Sequence, residues 1–222
     1  MFFDATLFHT IVEFLSVVCY GAIAFFAYKR LIRTEDNFNM YWLFGFTIAA
    51  LIIVVHAVVG QFDLASHASW IPATWAIERG VLLLMLYCAM ITGYLVKYGS
   101  VIVISCLSLL VATLMAFPEL GINSGQVVQD HQPYRPVDFV LMLSWMGLWA
   151  IFWMNRVQLA AHDLPPFFHW FVLLGIIVHG IMAFFSPVPF DNAFMIAHVL
   201  KLVEAGVWAV AFYQWEKRLH LA

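Results

Sequence analysis

Stretches of about twenty apolar residues recur along this chain, each long enough to carry a helix across the hydrocarbon core of a bilayer. Backbone groups in lipid find no water, so a crossing segment must satisfy its own hydrogen bonds, which a helix does. With 64% hydrophobic and 10% charged residues over 222 positions, and a mean hydropathy of +0.92, the chain lies outside the range of soluble domains. The sequence predicts an all-α polytopic membrane protein with seven transmembrane helices, near 5–28, 40–61, 71–97, 100–117, 137–160, 167–186 and 192–215. No length remains for a soluble domain, so 1–222 reads as a single seven-helix transmembrane domain.

The breaks carry ordinary punctuation. Lys29, Arg30 and Arg33 with Glu35, Asp36 and Asn37 end the first span, Lys97 to Ser100 turn after the third, and Pro165 with Pro166 precede the sixth. A proline-bearing turn, Phe184 to Asp191, leads into the last. Short loops rich in Lys and Arg stay in the cytoplasm. In a seven-span thread Lys29, Arg30, Arg33, Lys97, Arg156, Lys217 and Arg218 share one side, and Arg135 alone lies in the opposite loops. The expected N-terminus is therefore outside and the C-terminus cytoplasmic. The first span reads as retained, because Asp4 replaces a basic leader and no small-residue cleavage site follows.

Cys19, Cys88 and Cys106 sit in apolar spans without paired spacing, which argues against a disulfide framework or thiolate metal site. A net charge of −3 offers no basic stripe to meet phosphates, so no nucleic-acid partner is expected. Trp70, Trp75, Trp145 and Trp215 fit an interfacial belt.

Against this background the few ionisable residues inside the spans stand out: His9, Glu13, His56, Glu78, Arg79, His179, His198, Lys201 and Glu204. Such groups are costly in lipid and mark a site by default. In the seven-span thread nearly all fall in the outer half. His9 and Glu13 are four apart, about 6 Å along one helical face. His198, Lys201 and Glu204 follow one another at spacing three on the last span. His179 lies between Gly175 and Gly180, small residues that let a neighbour approach closely.

Each residue also has an ordinary structural reading. Glu78 and Arg79 are adjacent and point apart, so each pairs with another helix, Arg79 with Glu13 or Glu204; Lys201 neutralises Glu204; a lone His clamps two helices by a hydrogen bond. Four His at one depth beside carboxylates favour a shared site. His9, Glu13, His56, His179 and His198 are the candidate metal ligands, since imidazole and carboxylate suit zinc, copper or non-haem iron. His56 with His179 or His198 would suit a b-type haem. A small polar ligand or a proton relay would use the same residues. His67 and His131 read as loop residues, and His162, His169 and His220 fall on the cytoplasmic side.

The segments Phe8-His-Thr-Ile-Val-Glu-Phe-Leu-Ser-Val-Val18, Ile53-Val-Val-His-Ala-Val58 and Trp75-Ala-Ile-Glu-Arg-Gly80 resemble bacterial membrane-associated sensor domains of the third class, the MASE-type N-terminal modules of histidine kinases and diguanylate cyclases. The likeness covers about the first hundred residues. His9, Glu13, His56 and Arg79 are the matching positions, Glu78 does not clearly match, and the last three spans do not align. Such modules normally continue into a cytoplasmic signalling domain, whereas this sequence ends at Trp215-Glu-Lys-Arg-Leu-His-Leu-Ala222.

The leading expectation is a membrane-embedded sensor or binding module whose outer-half site takes a metal, haem or small ligand and signals through the last helix. Its expected partners are the lipid bilayer, a cytoplasmic signalling domain or protein at the C-terminus, and a second copy of the chain. The rival is an intramembrane metal-dependent hydrolase or oxidoreductase on a lipid-like substrate, with a carboxylate as base. Seven-span zinc hydrolases of the ceramidase type carry His-x-x-x-His on the last span, but position 202 here is Leu, which weighs against the enzyme. A b-type haem electron-transfer subunit is the third reading.

Overall fold

A computed structural model describes residues 5–36, 38–62, 70–95, 133–159, 164–187 and 191–218. These form six helices and no strand: α1 (Ala5–Thr34), α2 (Phe38–Phe62), α3 (Trp70–Leu95), α4 (Pro136–Leu159), α5 (Phe168–Phe185) and α6 (Asn192–Arg218). The expected span at 100–117 lies outside the described residues. Five of these helices, α1, α2, α4, α5 and α6, are long and apolar enough to cross a membrane.

Local chemistry sets several helix ends. The Asp191 carboxylate accepts the Phe194 N–H at 2.7 Å at the start of α6, and Asp36 accepts the Phe38 N–H at 2.9 Å at the start of α2. Pro136 opens α4, where its missing N–H costs nothing. Glu35, just past α1, takes a positive φ of 52° while its N–H reaches the Leu31 carbonyl.

Each helix packs on its successor in the described chain, with α3 meeting α4 and α6 returning to α1, so the six close into a ring. One part of the interior is aromatic. Trp208 on α6 lies at the centre of that cluster, 3.9 Å from Phe171 and 5.3 Å from Trp42 between ring centroids, with Phe46, Phe168 and Phe212 around it. Such pairs add stability beyond the area they bury. Gly175 on α5 lets Trp145 of α4 lie against its backbone; a Cβ there would meet the indole at 2.6 Å.

The belt positions expected for Trp75, Trp145 and Trp215 are corrected by the structure, which leaves these side chains 5%, 0% and 1% exposed. Each turns inward because a polar or cationic partner waits there: Asp138 takes the Trp75 N–H at 3.0 Å, Arg79 lies over Trp145, and Arg30 over Trp215.

The helices alternate in direction except that α3 and α4 run the same way, and this course gathers the charges at two ends of the ring. At one end Arg30 donates to the Trp215 carbonyl at 3.1 Å, and Lys29 and Arg33 pair with Glu216. At the other lie the start of α1, the end of α2, the starts of α3 and α4, the end of α5 and the first half of α6. There the polar cluster forms.

Candidate functional site

All nine of the singled-out residues lie at this second end, all buried. The arrangement answers what shared depth could not, which helices are neighbours. Two joined networks result.

The first centres on Arg79. Its guanidinium meets both oxygens of Glu204, at 3.1 and 3.0 Å, donates to the Tyr20 hydroxyl at 3.0 Å, and donates through Nε to Nε2 of His179 at 3.1 Å. Because Nε2 of His179 accepts, the ring proton is on Nδ1, which donates to Asp138 at 2.8 Å. Asp138 also takes the Trp75 indole N–H. Of the two partners weighed for Arg79, Glu204 is the one that meets it. Both nitrogens of His179 are thereby engaged, and its place is with the arginine.

The second network centres on Lys201. Its ammonium is shared between Glu13, at 2.9 Å, and Glu78, at 3.0 Å, and lies 4.5 Å from the Trp75 ring centroid. The expected neutralisation of Glu204 by Lys201 is corrected here: the lysine turns to α1 and α3, and Glu204 is taken by Arg79. Adjacent Glu78 and Arg79 do point apart, one into each network.

Three imidazoles flank Glu13. His9, one turn before it, places Nε2 3.8 Å from Glu13 Oε1; His198 on α6 places Nε2 3.5 Å from the same oxygen. His56 on α2 faces His9 with 3.4 Å between their Nε2 atoms, and its Nδ1 lies 2.7 Å from the Thr74 hydroxyl. Glu13 Oε1 is buried yet accepts no hydrogen bond. One atom from each of His9, Glu13 and His56 fits within a 4.8 Å group. Tetrahedral ligands held at about 2.0–2.1 Å from an ion stand roughly 3.4 Å from one another, so the contacts of 3.4 to 3.8 Å are close to a coordination shell.

Charge points the same way. At this end the described buried residues include the carboxylates Glu13, Glu78, Asp138 and Glu204 and the cations Arg79, Arg135 and Lys201. Arg79 meets Glu204 one to one, whereas Glu13 and Glu78 share a single ammonium beside the histidines.

Sequence reasoning passed over Tyr20, Thr74 and Asp138, and placed Trp75 in the belt. Asp138 was open to the rule that found the others, being the one acidic residue of α4. Tyr20 and Thr74 carry no charge, and only the packing shows what they hold. Among the loop histidines, His169 is exposed near the start of α5, while His67, His131, His162 and His220 lie outside the described residues.

No family model, curated protein or solved structure matches the chain.

Proposed function

We propose that the chain is a membrane-embedded sensor or binding module that holds a transition metal between His9, Glu13 and His56 and passes its occupancy to the last helix. Seven spans, an outer N-terminus and a cytoplasmic C-terminus in a bacterial inner membrane are part of this reading. The orientation is supported by the gathering of Lys29, Arg30, Arg33, Lys217 and Arg218 at the end away from the site. The observation that carries the proposal is Glu13 Oε1, a buried carboxylate oxygen without a donor, set against imidazole nitrogens at coordination spacing.

The same spacing favours a compact ion over a haem. A macrocycle must lie between its two axial imidazoles, whereas His56 faces His9 directly and His179 is held by Arg79 and Asp138. Imidazole and carboxylate donors suit a borderline divalent metal.

The route to the last helix runs through Glu13. One oxygen serves the ion and the other binds Lys201 of α6, so a metal that draws Glu13 also draws the helix. A ligand shifts a conformational balance only through unequal contacts with the two states, and this shared carboxylate is one such contact. Spin labels at the exposed positions Tyr28 and Tyr213 test the coupling. The distance between them, measured by pulsed resonance, is expected to change when zinc is added to the otherwise unaltered chain, and to stay fixed in His56→Ala. A distribution indifferent to zinc in both would defeat the signalling half of the proposal.

A further inference from the structure

Resting on that reading, we infer that His198 of α6 is a fourth ligand, and that the site is a closed set of three imidazoles and one carboxylate for a four-coordinate divalent ion of zinc-like character. The argument begins with a proton. His198 Nδ1 lies 2.8 Å from the Phe194 carbonyl one turn earlier, and a carbonyl only accepts, so Nδ1 carries the hydrogen. In the neutral ring Nε2 is then an acceptor. It faces Glu13 Oε1, another acceptor, at 3.5 Å in a buried site, and that oxygen receives no hydrogen bond from any neighbour.

Two lone pairs turned toward each other away from water repel, and a cation between them turns the repulsion into two bonds. The ring is also fixed for the task. It stacks on Phe194 at 4.0 Å, lies 5.0 Å from Trp75 and 4.7 Å from His9 between centroids, and so has little freedom to turn away.

The Nδ1–H bond to a backbone carbonyl is the outer-shell partner that orients metal-binding histidines and sets their tautomer. The Thr74 hydroxyl, 2.7 Å from His56 Nδ1, orients that ring by a hydrogen bond as well. His198 Nε2 lies 3.5 Å from Glu13 Oε1 but outside the 4.8 Å group of His9, Glu13 and His56, so the ion must draw it in; three nitrogens and one carboxylate oxygen then make a tetrahedral set, the geometry of a site that holds its ion without an open position for substrate. Oxygen-preferring ions such as magnesium and calcium gain little from imidazole. The ion then joins α1, α2 and α6 directly.

Cobalt(II) reports this geometry, because tetrahedral cobalt absorbs visible light far more strongly than six-coordinate cobalt. The unaltered chain in detergent, titrated with cobalt alone, is expected to give the intense tetrahedral spectrum at one ion per chain. His198→Ala should weaken binding at least about 10-fold, the loss that even outer-shell substitutions cause, and dim the spectrum as water enters. His198→Cys should bind cobalt and add a thiolate charge-transfer band in the near ultraviolet, which only a side chain touching the ion can produce. An unchanged spectrum in His198→Ala together with no such band in His198→Cys overturns the fourth ligand and leaves the three-residue site standing. No cobalt bound by the unaltered chain overturns the underlying metal reading itself.

Discussion

Arg79→Ala is expected to destabilise the protein by about 3–5 kcal/mol, the range for breaking a buried ion pair and stranding its partner. Hydrogen bonds join four helices at this guanidinium. Tyr20 comes from α1, His179 from α5 and Glu204 from α6, and α3 supplies the arginine itself. Without it Glu204 is left as a buried carboxylate facing a hydroxyl and an imidazole. The loss should read as a large fall in the melting temperature of detergent-purified protein. Arg79→Lys should rescue little, because an ammonium cannot reproduce the planar fork that meets both Glu204 oxygens and His179 together. The double variant Arg79→Met, Glu204→Leu should melt higher than Arg79→Ala, since removing both charges removes the stranded one. If Arg79→Ala melts with the unaltered chain, the guanidinium is not what holds these helices.

Glu13→Gln is expected to separate stability from binding. The amide keeps the size of the side chain and still offers Lys201 an oxygen, and Glu78 remains as a full counter-charge for the ammonium. One of the two carboxylates that share this ammonium is gone. Metal-free Glu13→Gln should therefore melt at or above the temperature of the metal-free parent, while its metal affinity falls by more than the roughly 10–100-fold that outer-shell changes cause. The two readings come from one titration followed by thermal melts with and without zinc. A variant that melts far lower without metal would show Glu13 to be a strut for Lys201, and one that binds zinc as the parent does would remove the carboxylate from the ligand set.

The helical character with spans apolar enough for a membrane and the buried polar cluster were both legible in the sequence, for the same reason. In a chain this apolar each charge must have a cause, so His9, Glu13, His56, Lys201 and the others announced themselves by position alone. The pairing was not legible. Glu204 lies three residues from Lys201, and helical spacing alone makes them natural partners, yet Lys201 reaches α1 and α3 while Glu204 reaches Arg79. Which face of α6 meets which helix depends on how the aromatic cluster about Trp208 seats the ring, and no local pattern encodes it. The inward turn of Trp75 and Trp145 was hidden in the same way. A tryptophan near a helix end reads as an interfacial anchor until Asp138 or Arg79 is placed beside it. The division of the histidines followed once neighbours were known, with His179 joining Arg79 and Asp138 and His9, His56 and His198 facing Glu13.

The most direct test of the site is the transition-metal content of protein purified in detergent without chelator, measured by mass spectrometry per mole of chain and repeated after dialysis against zinc. The account predicts close to one divalent ion per chain in the unaltered protein and a loss of that ion in His56→Ala. A chain that carries no transition metal, and takes up none from zinc, would contradict it.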